Sequence, residues 1–350
     1  MKKPSPRVCL ADFESAAKRI LPRTVLDFVA GGAADEITIR WNREAYDRIP
    51  LRPRVLVDVS TIDTRVRLLG LDLPHPILLA PGAYQKLFHK TGEAATARGA
   101  GRSEAVFVVS SNATLSIEEI ARVATAPLWL QLYAQSDPER NREIIDRAQA
   151  AGCKALVVTV DTPAIGPRNR EQRGGFKLPK TMNLPMNPQN RQERKQGTHQ
   201  RVSLTWKDIE NFRSLSQIPV LLKGILDPND AELAVDRGAD GIIVSNHGGR
   251  NLDTAPATID ALPGIVDRIA GRIPVLVDGG IRRGTDVVKA LAAGAAAVLI
   301  GRPYLYGLAV AGPDGVAEVV DILRTELEMA MALVGRARIA DLDRSILGGP

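Results

Sequence analysis

Two cysteines, four histidines and a 4% aromatic fraction are what this 350-residue chain has least of, and each scarcity excludes something. Cys9 and Cys153 are too few and too distant for a disulfide framework and have no metal-ligand spacing, so a reducing, cytoplasmic setting is expected. The low aromatic content argues against an aromatic-rich sandwich and for strands packed with small and β-branched side chains. No apolar run approaches the ~20 residues of a membrane span. The basic start, Met1 to Pro6, leads into Ala11-Asp12-Phe13-Glu14 without an apolar signal region, so neither export nor membrane insertion is expected. The net charge is +6, yet no basic run is interleaved with aromatics and no nucleic-acid motif occurs. An anionic small molecule is the expected partner, not nucleic acid.

What is present is a repeat of short apolar runs, each ending in polar or glycine-rich chemistry. Eight runs read as strands: Ile77 to Ala80, Val106 to Ser110, Leu128 to Tyr133, Ala155 to Asp161, Pro219 to Lys223, Gly241 to Asn246, Pro274 to Asp278 and Ala296 to Gly301. Helix-like segments such as Glu139 to Ala151, Asp227 to Arg237 and Gly284 to Ala293 lie between them, and Gly152, Gly238 and Gly294 are placed to end helices before the next strand. Buried strands alternating with crossover helices predict an α/β fold, a closed (β/α)₈ TIM barrel, with a doubly wound open sheet as the alternative. Two regions fall outside the repeat. Residues 1–76 read as an N-terminal helical cap followed by an extended segment, Val66 to Leu71, that would cover the barrel base. Residues 168–203 form a long loop after the fourth strand, rich in Pro, Asn, Gln, Arg and Lys, which reads either as an active-site lid or as a solvated insertion. The rest, 77–350, is barrel, and the whole chain reads as one domain.

Three consecutive strand ends carry the densest chemistry. Ser245-Asn246-His247-Gly248-Gly249-Arg250 puts a proton acceptor and an anion clamp at one strand mouth; Asp278-Gly279-Gly280-Ile281-Arg282 and Gly301-Arg302 follow on the next two. Barrels commonly hold phosphate after the seventh and eighth strands, on backbone N–H groups and a cation, which nominates Gly280, Arg282, Gly301 and Arg302. Among the histidines, His75 lies between prolines, His89 beside Lys90 and His199 in the polar loop, which leaves His247 as the general base. An unperturbed imidazole titrates near pH ~6.5 and can accept a proton at neutral pH.

Together the strand ends resemble the FMN-dependent 2-hydroxy-acid oxidase and dehydrogenase family, which includes glycolate oxidase, lactate oxidase and mandelate dehydrogenase. The match runs through Leu21-Pro22, Ala30-Gly31-Gly32, Arg52 to Leu56, Ala80-Pro81, Gln131-Leu132-Tyr133, Thr159 to Pro163, Lys223-Gly224, Ser245 to Arg250, Asp278 to Asp286 and Gly301-Arg302-Pro303. The resemblance implies an FMN cofactor held by Ala80, Pro81, Gly82, Ser110, Gln131, Thr159, Lys223, Ser245, Asp278, Gly280, Arg282, Gly301 and Arg302. Lys223 would stabilise the anionic reduced ring, and Ser110, Gln131 and Thr159 would contact its polar edge. It implies catalysis by His247, with Asp161 orienting the imidazole, Tyr133 near the substrate hydroxyl or carboxylate, and Arg250 and Arg168 binding the carboxylate.

Phe28 stands where glycolate oxidase carries a tyrosine, Gly82 replaces a larger residue, and Asn112 stands where glycolate oxidase has a tryptophan. These departures, with Ala83 to His89, look most like the 4-hydroxymandelate oxidase branch, and a natural-product tailoring enzyme of the family is equally compatible. The implied reaction is oxidation of an (S)-2-hydroxy acid, aryl-bearing, to the 2-keto acid, with O₂ or another acceptor taking the electrons in a homotetramer. Alternatives are the same chemistry on lactate or glycolate, oxidative decarboxylation, an FMN-dependent isomerase, and a noncatalytic flavin- or phosphate-binding scaffold. No metal is expected.

Overall fold

The computed structural model describes residues 6–188 and 204–348. His199, and the part of the predicted loop from 189 to 203, lie outside the described residues.

A two-stranded hairpin, β1 (Val66–Leu68) and β2 (Leu71–Leu73), precedes eight parallel strands. These are β3 (Ile77–Leu79), β4 (Phe107–Ser110), β5 (Leu128–Leu132), β6 (Leu156–Thr159), β7 (Val220–Ile225), β8 (Gly241–Val244), β9 (Val275–Asp278) and β10 (Ala297–Ile300). They pair in chain order and β10 pairs with β3, so the sheet closes into a (β/α)₈ barrel rather than an open doubly wound sheet. Helices Glu93–Arg102, Pro138–Ala150, Pro228–Asp236, Thr258–Ile269 and Gly284–Ala292 lie between strands. The predicted helix-ending glycines Gly152, Gly238 and Gly294 have φ of +84°, +81° and +107°.

Because side chains alternate along a strand, each barrel strand feeds two cores. One is the barrel interior: Leu78, Val108, Trp129, Val157, Leu221, Ile243, Leu276 and Leu299, one from every strand, form a single apolar layer. Leu68 and Leu73 of the hairpin join that layer, so the segment expected to cover the base does so. The other core, with Leu79, Phe107, Val109, Leu130, Val158, Leu222 and Val277, packs strands against helices. Two residues beyond each member of the interior layer, the same inward face presents Ala80, Ser110, Gln131, Thr159, Lys223, Ser245, Asp278 and Gly301. That ring is polar or small at all eight strands, where the layer beneath is wholly apolar.

The cap is α1 (Leu10–Ile20), α2 (Arg23–Ala30) and α3 (Ile37–Asp47). It is tied to the loops at the carboxyl ends of the strands by Asp253, which accepts the amides of Asp35 and Thr38, and by the ion pair of Glu36 with Arg170. The loop after β6 is less polar in structure than in sequence. Met182, Leu184 and Met186 are buried against the main core, so the stretch 182–187 is packed, whereas 171–181 is half-buried or exposed.

Candidate active site

The polar ring floors a cavity of about 1180 Å³ of atom-free space, its open mouth included. Phe28, Ala80, Pro81, Gly82, Ser110, Asn112, Tyr133, Thr159, Arg168, Lys223, His247, Arg250, Asp278, Gly280, Arg282, Gly301 and Arg302 all line it, which brings most of the sequence-nominated residues together. Gln131, Asp161 and Ser245 stand behind them and hold others in place. Gln131 accepts from Ser110 Oγ (2.9 Å) and donates to Thr159 Oγ1 (2.9 Å), a rung across three strands.

His247 follows β8 in the left-handed region (φ +58°), a conformation a non-glycine residue keeps only when its surroundings enforce it. Ser245 Oγ accepts its backbone amide (3.1 Å), and Asp161 fixes its ring: Nδ1 lies 3.1 and 3.2 Å from the two carboxylate oxygens. With the proton on Nδ1 facing the carboxylate, Nε2 keeps its lone pair, and the Tyr133 hydroxyl donates to it at 3.1 Å. Burial pushes the His247 pKa below its ordinary value, and Lys223 and Arg168 add to this against the opposing pull of Asp161. The ring is therefore neutral at neutral pH and able to accept a proton. Burial alone would raise the Asp161 pKa, but His247 and Lys223 outweigh it and keep the carboxylate ionised.

At the floor, Lys223 Nζ donates to Ser245 Oγ (2.8 Å) and lies 3.1 Å from Asp278 Oδ2. Burial pushes the ammonium pKa down, but Asp278 and Asp161 reverse the shift, so Lys223 stays charged.

Arg250 and Arg302 meet the end of α2. Arg250 Nη1 donates to the carbonyls of Phe28 (2.6 Å) and Gly31 (2.8 Å); Arg302 donates to those of Val29, Gly31 and Gly248, all at 2.9 Å. Carbonyls at a helix C-terminus lack intrahelical partners and carry partial negative charge, so two guanidinium groups anchor the cap there. Arg302 therefore also braces the cap. Its hydrogen bonds go to neutral carbonyls, and what it brings to a phosphate is charge rather than a fork.

That charge is in excess. Burial lowers the pKa values of Arg250, Arg282 and Arg302, with neighbouring arginines adding to the effect on each. Such a half-buried cluster favours an anion. The helix beginning at Arg302 has no side-chain cap at Gly301, whereas the amides opening the 284–292 helix are taken by Asp286 and Glu326. Asp278 Oδ1, buried in the lining, has no hydrogen-bond partner among the described residues. Clustered, half-buried positive charge, an uncapped helix N-terminus and an acceptor awaiting a donor fit a phosphorylated, hydroxyl-bearing cofactor such as FMN.

Part of the lining is aromatic. Phe28, 8% exposed, stacks on Phe176 of the loop after β6 (centroids 4.6 Å apart, planes at 15°) and packs against Tyr84 (5.8 Å), with the Arg250 guanidinium 5.1 Å from its centroid. Tyr84 and Phe176 were missed by sequence reasoning. Tyr84, also in the left-handed region (φ +59°), lay in a segment read for resemblance alone, and Phe176 in a loop read as polar. Arg168 and Arg250 flank Glu171, whose Oε2 lies 3.5 and 3.8 Å from their nitrogens, another residue with no sequence signal.

Two specificity expectations change. A Cβ on Gly82 would lie 2.6 Å from Tyr304 Oη and 3.3 Å from Leu305, so at this cavity-lining position the surrounding packing leaves little room for a side chain. Asn112 does line the cavity, but its Oδ1 accepts from Asn187 Nδ2 (2.9 Å) and so ties the loop to the barrel.

Comparison with known proteins agrees with this geometry. The model of the FMN-dependent dehydrogenase family matches residues 17–348. The chain is 46% identical to an L-lactate oxidase of Nostoc sp., over 98% of each chain, and 44% identical to a 2-hydroxyacid oxidase of Dictyostelium discoideum, over 97% of this chain and 90% of that one. A solved structure of mandelate oxidase with (S)-2-phenylpropionate superposes with a TM-score of 0.91 at 42% identity, covering 98% of both chains.

Proposed function

The chain belongs to the FMN-dependent dehydrogenase family and is an FMN-dependent oxidoreductase of the 2-hydroxyacid oxidase group, acting on CH–OH, and from that premise we propose that its substrate is an aryl-bearing (S)-2-hydroxy acid of the mandelate or 4-hydroxymandelate type. The observation that carries the substrate class is that Phe28 and Tyr84 line the same cavity as His247, with Phe176 stacked on Phe28 from behind. Burying a phenyl ring in a matching site is worth roughly 1.5–3 kcal/mol, a factor of about ten to a hundred in specificity. The likeness to mandelate oxidase supports the same reading.

FMN, when bound, supplies the two-electron acceptor, and its phosphate is assigned to Gly279–Arg282 and the start of the helix at Arg302. The chain's own residues orient the acid and move its proton. Arg168 and Arg250 draw the carboxylate by charge. His247 receives the proton at Nε2, and Asp161 stabilises the imidazolium that results. The Tyr133 hydroxyl, beside Nε2, is placed to hydrogen-bond the substrate hydroxyl or carboxylate. Lys223 keeps a permanent cation at the floor, where negative charge accumulates on reduction.

A short aliphatic acid is the second reading, favoured by the 46% identity to the lactate oxidase. Anaerobic mixing with glycolate, lactate, mandelate and 4-hydroxymandelate separates the two: the aryl acids are expected to bleach the flavin fastest, and readmitted air to restore its colour. A preference for lactate or glycolate by about tenfold would overturn the aryl assignment and leave the family intact. Flavin that stays reduced in air would point to an acceptor other than O₂.

A further inference from the structure

The turn from Gly279 to Arg282 takes its shape from α3 in the cap as much as from the barrel. At Gly280 (φ +76°) a Cβ would lie 2.0 Å from the Asn42 carbonyl oxygen and 3.1 Å from the Tyr46 ring, so only glycine admits the helix this close. From the same helix Arg43 Nη1 donates to the Gly280 carbonyl (2.7 Å) and to Asp286 Oδ2 (2.5 Å), while Nη2 donates to Asp286 Oδ1 (3.0 Å). Asp286, with 1% of its side chain exposed, also accepts the backbone amides of Arg282 (2.8 Å) and Arg283 (3.0 Å). One guanidinium–carboxylate fork therefore fixes a carbonyl near one end of the turn and two amides at the other. Neither Arg43 nor Asp286 lines the cavity.

We infer that Arg43 and Asp286 are positioning residues for the cofactor's phosphate: by bracing this turn they set how tightly FMN is retained, and they make the N-terminal cap part of the cofactor site. The inference rests on the assignment of the phosphate to this turn. Without the brace, a segment with two left-handed glycines regains conformational freedom, and the ligand's own binding energy must order it. The fork geometry matters as well as the charge, because a lysine in place of Arg43 cannot hold both carboxylate oxygens and the carbonyl.

The test is titration of the apoprotein with FMN and with riboflavin, which lacks the phosphate, followed by flavin fluorescence. Arg43→Met should raise the FMN Kd about tenfold and Arg43→Lys somewhat less, with riboflavin affinity changed by less than about twofold. The rate of FMN release from diluted holoenzyme should rise in step, which reads the same effect in a variant that does not survive stripping. Arg282→Ala, which alters the cavity itself, should erase most of the preference for FMN over riboflavin. If that preference survives Arg282→Ala, the phosphate lies elsewhere and the underlying assignment falls. If Arg282→Ala erases it while the Arg43 variants retain FMN like the parent, or weaken both flavins equally, the brace is refuted and the assignment stands.

Discussion

Two walls of one cavity are built by opposite means. On the side formed by β6, β7 and β8, His247, Asp161, Lys223 and Ser245 stand at strand ends and lock one another with bonds of 2.8–3.2 Å. In the other wall, Phe28 comes from the cap and Tyr84 from the segment after β3, and Phe176 from the loop after β6 backs Phe28, so that both rings pack on Phe28. The first wall is directional bonding on a rigid scaffold, and the second is dispersion and burial between separate elements. The difference teaches where loss should be steep and where it should be gradual. A misplaced proton acceptor stops the reaction, whereas a loosened ring only reweights substrates.

The steepest expected loss is His247→Ala. Removing the base should slow flavin reduction by about 10²-fold or more while FMN stays bound, because no phosphate contact changes. Rapid anaerobic mixing measures the rate and the flavin spectrum measures retention; near-normal reduction would break the assignment of this wall to proton transfer.

Asp161→Asn comes next. Loss of a charge-assisted bond of about 1.5–3 kcal/mol should lower the rate about ten- to a hundredfold. The pH profile gives the sharper check. The working form of His247 is neutral and burial depresses its pKa, so the acid limb of kcat/KM should lie below the ordinary value of ~6.5 and activity should be flat above it. Asp161 is the group that pulls that pKa upward, so removing its charge should move the acid limb still lower while the plateau falls. A limb that moves to higher pH would contradict the pairing.

Arg250→Lys probes the seam between the walls, since Arg250 reaches the cap carbonyls and lies beside the Phe28 ring. A point charge cannot hold those carbonyls and a carboxylate together. KM should rise roughly tenfold, with a smaller fall in kcat. An unchanged KM would remove Arg250 from substrate binding.

The two walls were also unequally legible in the sequence. Strand-end chemistry was legible as polar and glycine-rich residues closing each apolar run, and the resemblance named Ser110, Gln131, Thr159, Lys223, Ser245 and Asp278 among them; in the structure they share one inward face, because side chains alternate along a strand. His247 emerged by elimination among four histidines. Contacts between cap and loops obey no such period. Phe28 and Phe176 are brought together by packing across 148 positions (176 − 28), and nothing local marks the pair. The alternating Met182, Leu184 and Met186 were hidden among Pro and Asn, and so their packing against the core was not read from the sequence. The packing of Gly82 against Tyr304 could not be read, because the direction of a Cβ is a property of the backbone and not of the letter. Arg302 was nominated for its charge, and its hydrogen bonds depended on where α2 ends, which the sequence did not mark.

The smallest expected effect bears most directly on the second wall. Phe176 supports Phe28 from the loop side and does not itself line the cavity, so Phe176→Ala should leave catalysis untouched and act only through the position of the Phe28 ring. A stacked aromatic pair is worth about 0.5–1.5 kcal/mol beyond the area it buries, which corresponds to roughly a two- to twelvefold change. The ratio of kcat/KM for mandelate to that for lactate should fall by that factor, while flavin reduction at saturating lactate stays at the parent rate. Phe28→Tyr serves as the companion variant and should shift the same ratio toward small acids by placing a polar group on the wall itself. If Phe28→Tyr moves the ratio and Phe176→Ala does not, Phe28 is held by the barrel and the cap alone. If Phe176→Ala instead slows reduction of the flavin by every acid equally, the loop positions the proton-transfer wall too, and the separation between the two walls does not hold.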